Sequence, residues 1–137
     1  IIDEMEKLME HMVSGVTAVA QRAALAAISA PQDCVQEMVV TYDKRRHLVH
    51  GGLNAIDGIQ CINPESTFYA FPNITSTGLS SWDLAKYLVK EHKVAVVPGS
   101  IFGQAGEGHV RLSFAASMDQ LKEGIARIGR GVAALRA

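Results

Sequence analysis

The sequence predicts an α+β fold, with a small sheet of about four strands in the order β-β-α-β-β-α, packed helices, and a helical arm in front. Three observations predict it. Apolar residues recur at helical spacing near both ends of the chain. They alternate strictly with polar ones over residues 109–114, the period of a half-buried strand. Between these stretches, clusters of Gly, Pro, Asn and Asp mark turns. The 137 residues are 48% hydrophobic, enough for one packed domain and too apolar for a disordered chain.

The arm comes first. Ile2, Met5, Leu8, Met9 and Met12 stripe a helix whose early acids suit the positive end of the helix dipole. Ser14-Gly15 interrupts it, and a second, alanine-rich helix runs over residues 17–29 until Pro31 ends it. Its small side chains favour close approach to a neighbouring element. Asp33 and Gln36 predict a capping box for a third helix, with Val35, Met38, Val39, Tyr42 and Val49 as its apolar face and Gly51-Gly52 as its close. Residues 59–62 and 67–71 read as two strands separated by Asn63-Pro64-Glu65-Ser66.

Ser81 is the expected cap of a fourth helix, buried along Leu84, Ala85, Leu88 and Val89. Residues 94–97 form a short, continuously apolar strand. A glycine-rich loop over residues 98–108 leads into the alternating strand, with Val110, Leu112 and Phe114 on one face and His109, Arg111 and Ser113 on the other. Ser117 and Gln120 predict a second capping box, and Leu121, Ile125, Ile128, Val132 and Leu135 stripe the last helix. The division expected is an arm over residues 1–30 and a domain over residues 31–137.

Composition narrows the function classes. Thirteen basic against fourteen acidic residues give a net charge of −1, which offers nothing to nucleic acid or an anionic membrane. No apolar run approaches the ~20 residues of a membrane helix. The two cysteines, Cys34 near a helix start and Cys61 in an expected strand, fit buried free thiols in a reducing, cytoplasmic protein. The chain starts at Ile1 without initiator methionine or signal peptide, which reads as a segment of something longer.

Few residues point to chemistry. The glycine-rich loop joins two strands, whereas nucleotide-binding glycine motifs open a helix, so it reads as a conformational loop. His47 and His50 lie three apart on a helix with no acid completing a zinc signature, and no Ser sits in a nucleophile elbow. The six lysines fall on polar helix faces or just past a helix end, so none reads as a Schiff-base amine. Arg111 stands out, because a permanent charge inside an apolar strand needs an anion. Its planar fork suits a carboxylate. A solvent-facing arginine, or one paired to Glu107, stays open on these grounds.

The run Val94-Ala95-Val96-Val97-Pro98-Gly99-Ser100-Ile101-Phe102-Gly103, with Gly106-Glu107-Gly108-His109-Val110-Arg111-Leu112-Ser113-Phe114-Ala115, resembles the closing segment of class I/II aminotransferases. The stretch from Asn63 to Pro72 is similar to that family's small-domain strand pair, and Gln21-Arg22-Ala23-Ala24-Leu25 to the helix after its catalytic lysine. In order and spacing the resemblance covers nearly the whole chain.

The resemblance implies the small, C-terminal domain of a fold-type I, pyridoxal-phosphate-dependent enzyme related to aspartate aminotransferase. A large domain carrying the lysine and cofactor contacts would lie outside this chain, leaving it inactive alone. It implies that Arg111 binds the α-carboxylate of an amino acid or 2-oxo acid, that Phe102 lines the same pocket, and that Ser14 and Thr17 approach the partner's active site in a homodimer. The alternatives are a decarboxylase or an acyl-CoA/amino-acid synthase on the same fold, or a free-standing ligand-binding module.

Overall fold

A computed structural model describes residues 1–13 and 15–136, which form two compact units, Ile1–Gln36 and Glu37–Ala137. The first unit holds helices α1 (Ile2–Val13) and α2 (Ala18–Ser29) and the start of α3 (Asp33–Asn54). Thr17 caps α2, its hydroxyl accepting the Ala20 N–H at 3.3 Å. The helix stops before Pro31, with Ala30 extended at φ −77° and ψ 162°, as the residue before a proline prefers. Neither α1 nor α2 buries a single residue within the chain. Ser14 lies outside the described residues.

Asp33 is not a cap. It is the first residue of α3, and the Gln36 N–H donates to the Gln32 carbonyl. Cys34, expected to be buried, is exposed. Of the apolar face expected on this helix, Val35, Met38 and Val39 are exposed, Tyr42 is half-buried and Val49 is buried. The helix also runs through Gly51-Gly52 to Asn54. A Cβ on Gly52 would come within 3.0 Å of Ile125, so the glycine lets another helix approach.

In the second unit the order after α3 is β1 (Tyr69–Ala70), α4 (Ser81–His92), β2 (Val97–Pro98), β3 (Val110–Ser113) and α5 (Met118–Ala134). The fold is α+β, but the sheet has three strands among the described residues, antiparallel in the order β1-β3-β2. Tyr69 pairs with Ser113 and Val97 with Arg111. The expected strand at 59–62 reduces to a single bridge from Gln60 to Asn73, which is bridged in turn to His109. The reason is local. Cys61 is buried, but its N–H donates to the Asn54 side chain and its carbonyl accepts from the same amide, both at 2.9 Å. Helix α3 therefore uses the groups a strand partner needs.

The expected strand at 94–97 is shortened for a similar reason. Lys93 takes a left-handed conformation and the Val94 N–H donates back to the Leu88 carbonyl, closing α4. At the other end of α4 the cap is Ser80, accepting the Asp83 N–H at 3.1 Å, and Ser81 is the first helical residue, wholly buried. Leu84, Ala85 and Leu88 enter the core, whereas Val89 stays exposed.

The capping box of α5 forms as the sequence predicts, with Ser117 and Gln120 bonded reciprocally. Leu121, Ile128 and Val132 then meet Phe114, Leu53 and Leu84 in one hydrophobic core. Phe114 is 1% exposed, and burying such a side chain is worth about 1.5–3 kcal/mol. Among the described residues no single helix is long and apolar enough to cross a membrane.

Candidate carboxylate-binding site

Arg111 sits on β3, the central strand, half-buried. Its guanidinium carbon lies 4.3 Å from the centre of the Tyr69 ring and 4.5 Å from that of Phe102. Both are cation–π distances. Tyr69 comes from β1, where its pairing with Ser113 sets it diagonally across from Arg111. Phe102 ends the short 3-10 turn Gly99–Phe102, in the loop between β2 and β3. The guanidinium therefore has an aromatic ring at each of two contacts, and no carboxylate among the described residues forms an ion pair with it.

The pairing with Glu107 that the sequence left open does not occur. Glu107 turns to helix α4 instead, accepting the Ser81 backbone N–H and the Ser81 hydroxyl, each at 2.7 Å. Those donors and the Gly108 N–H hold its carboxyl below the usual glutamate range. The loop that carries both residues is pinched shut. A Cβ on Gly99 would lie 2.0 Å from the Gly106 carbonyl oxygen, and one on Gly106 would lie 2.1 Å from that of Gly99. Only glycine permits that approach.

The aromatic surroundings extend past Phe102. Phe71 meets it edge-on at 6.2 Å between ring centres and stacks on His109 at 5.1 Å. Arg111 thus contacts Tyr69 and also Phe102, from which a partly exposed aromatic row continues to Phe71 and His109. Rings beside a guanidinium keep water off its faces and leave its N–H edges available. Two parallel hydrogen bonds to a carboxylate then form at reduced dielectric.

Sequence reasoning named Arg111 and Phe102, and the structure brings these together. Tyr69, Phe71 and His109 had no site role in the sequence reading, although alternation placed His109 on the strand face of Arg111. Strand alternation over 67–71 was the available signal, but which strand Tyr69 pairs with was not legible. Thr17 lies in the other unit, where it caps α2, and Ser14 is outside the described residues. His47 and His50 fall on α3 as expected, and His47 lies against Asp43 on its own helix.

All six lysines are exposed within this chain, and Lys7, Lys86 and Lys90 show 69%, 71% and 84% of their side-chain surface.

A family model described as aminotransferase class I and II matches residues 1–128. The chain is 41% identical over 137 residues to an aspartate aminotransferase of Bacillus subtilis, covering 96% of this chain and 34% of the relative. It is 40% identical over 129 residues to aromatic-amino-acid aminotransferase 2 of Thermococcus litoralis, covering 90% and 33%. Among solved structures, an aromatic aminotransferase from Pyrococcus horikoshii superposes with a TM-score of 0.88 at 40% identity, over 94% of this chain and 35% of that one. The chain thus spans about a third of the length of the curated relatives it matches.

Proposed function

The chain belongs to the class I and II aminotransferase family, and from that premise we propose that it is the part of a longer aminotransferase that presents Arg111 to the α-carboxylate of the substrate. One observation carries the reading: a permanent cation set between two aromatic rings, with no acid paired to it among the described residues. A planar carboxylate matches the free edge of a planar guanidinium.

The proposed reaction moves an amino group between an amino acid and a 2-oxo acid. Both substrates carry the same carboxylate, so one arginine serves both halves. Its task is orientation. Fixing the carboxylate sets the distance and angle of the substrate's α-carbon, the kind of restraint that lowers a barrier without new chemistry. The relatives include enzymes named for aspartate and for aromatic amino acids at nearly equal identity, which agrees with a segment that reads the shared end of the substrate.

The family implies pyridoxal phosphate as cofactor, and every lysine of this chain lies on its surface. The cofactor's binding groups belong, on this proposal, to the remainder of the longer chain. The same proposal assigns residues 1–30 to contacts with that remainder and with a second copy of the protein, with Thr17 near the partner's site. The support is the apolar surface of that segment, with Ile2 72%, Met12 71% and Val19 80% exposed.

In the longer enzyme, Arg111→Lys replaces a two-bond fork with a point charge. The expected loss in kcat/KM is about 2–3 kcal/mol, the range of hydrogen bonds to charged groups. It should appear with donor and acceptor alike. Kinetics of both half-reactions check this, and unchanged values for the Lys variant would place the carboxylate elsewhere.

A further inference from the structure

We infer that Glu107 is a positioning residue for this site: tied to Ser81, it holds the loop over residues 98–108 so that Phe102 lies on Arg111. The inference rests on the reading of Arg111 as the carboxylate's partner. Glu107 lies on an exposed part of the loop, yet its carboxylate is bonded to the protein. Here one carboxylate oxygen accepts the Ser81 N–H and the other accepts the Ser81 hydroxyl. Ser81 itself has no exposed surface.

The serine gathers both arms of the loop. Its hydroxyl also lies 3.0 Å from that of Ser100. A hydroxyl has one proton, and with the Ser81 proton given to Glu107, Ser100 must donate to Ser81. Ser100 stands two residues before Phe102 and Glu107 five after it, so the loop segment bearing the ring is fastened on each side to the start of α4. The contact between Gly99 and Gly106 closes the base of the same loop. None of these bonds involves the residues of the hydrophobic core. Releasing the carboxylate should therefore free the loop without unfolding the sheet.

Chemistry separates two replacements. In Glu107→Gln the amide oxygen still accepts the Ser81 N–H, and the amide nitrogen donates to the Ser81 hydroxyl, which turns its proton toward Ser100. Both links to Ser81 are kept in kind while the charge goes. Glu107→Ala keeps none.

NMR of the Arg111 side chain in the full 137-residue chain tests this. Ring currents from Tyr69 and Phe102 displace its Nε–H and Cδ–H signals, and Phe102→Leu calibrates the share due to Phe102. Glu107→Ala should lose that share and Glu107→Gln should recover it. Titrating each sample with acetate should show several-fold weaker binding in the Ala variant and recovery in the Gln variant. Arg111 signals in Glu107→Ala that coincide with those of the unsubstituted chain would overturn the inference. If Glu107→Ala does not fold, Glu107→Met, which keeps the length of the side chain and neither carboxylate oxygen, decides instead: its Arg111 signals must move toward those of Phe102→Leu, and signals that stay put overturn the inference equally. Failure of acetate to perturb Arg111 in the unsubstituted chain would strike the carboxylate reading, while the ring-current shifts still decide the role of Glu107.

Discussion

Met5, Met9 and Met12 repeat along α1 with the spacing that Leu121, Ile125 and Ile128 follow along α5. Yet the first three are 60%, 57% and 71% exposed, whereas Leu121 and Ile128 are each 7% exposed. Periodicity says which face of a helix is apolar and leaves open what covers it. In residues 37–137 the cover is present: a three-stranded sheet, α4 and the end of α3 close on α5. In residues 1–36 the same pattern meets solvent, and such a stripe is rarely tolerated in a monomer. The second unit therefore owes its stability to its own contacts. The first has helices whose apolar faces await a partner.

The sharpest contrast should appear in core truncations. Phe114→Ala leaves a cavity under the sheet and should lower stability by about 3–5 kcal/mol. Leu8→Ala changes a position exposed within the chain and, at concentrations low enough to keep the chain monomeric, should stay within ~0.5 kcal/mol. Denaturant unfolding of both variants measures the difference, and similar midpoints would erase the distinction between the units. Caps come next. Ser117→Ala removes one half of the capping box of α5, with an expected loss of about 1 kcal/mol in the same assay.

The smallest effect is acid-dependent. The carboxyl of Glu107 is held below its ordinary value of 4.5 by the Ser81 hydroxyl and backbone N–H and by Gly108. A depressed folded-state value stabilises the fold above the unfolded value and is lost as pH falls through the folded one. The unsubstituted chain should therefore lose stability below about pH 4.5 more steeply than Glu107→Gln. Melting temperatures taken from neutral to strongly acid pH compare the two, and parallel curves would remove Glu107 from the acid response.

Much of the fold was legible because its signals are local. Ser117 and Gln120 lie three apart, and the stripe of α5 follows them without interruption. Alternation over 109–114 placed Arg111 on a strand face away from Val110 and Phe114. What failed depended on distant partners. No property of residues 59–62 reveals that Asn54 takes both backbone groups of Cys61. Nor does the spacing of Ser80 and Ser81 say which serine caps α4, since that choice turns on Glu107, 26 residues away. The candidate site shows the same limit. Arg111 and Phe102 came from one contiguous segment, while Tyr69 joins them only through the register of β1 on β3.

Residues 37–137 carry their own core together with the arginine site, while the segment before them exposes an apolar face suited to association. Hiding even a few hundred Å² of that face is worth several kcal/mol at ~25 cal/mol per Å², before the cost of association. Sedimentation of the full chain beside a variant beginning at Pro31 tests this division most directly. The full chain should run as a dimer or larger at tens of micromolar, and the shortened variant as a folded monomer. If both run as monomers, or the shortened variant is unfolded, the two regions are not the independent parts described here.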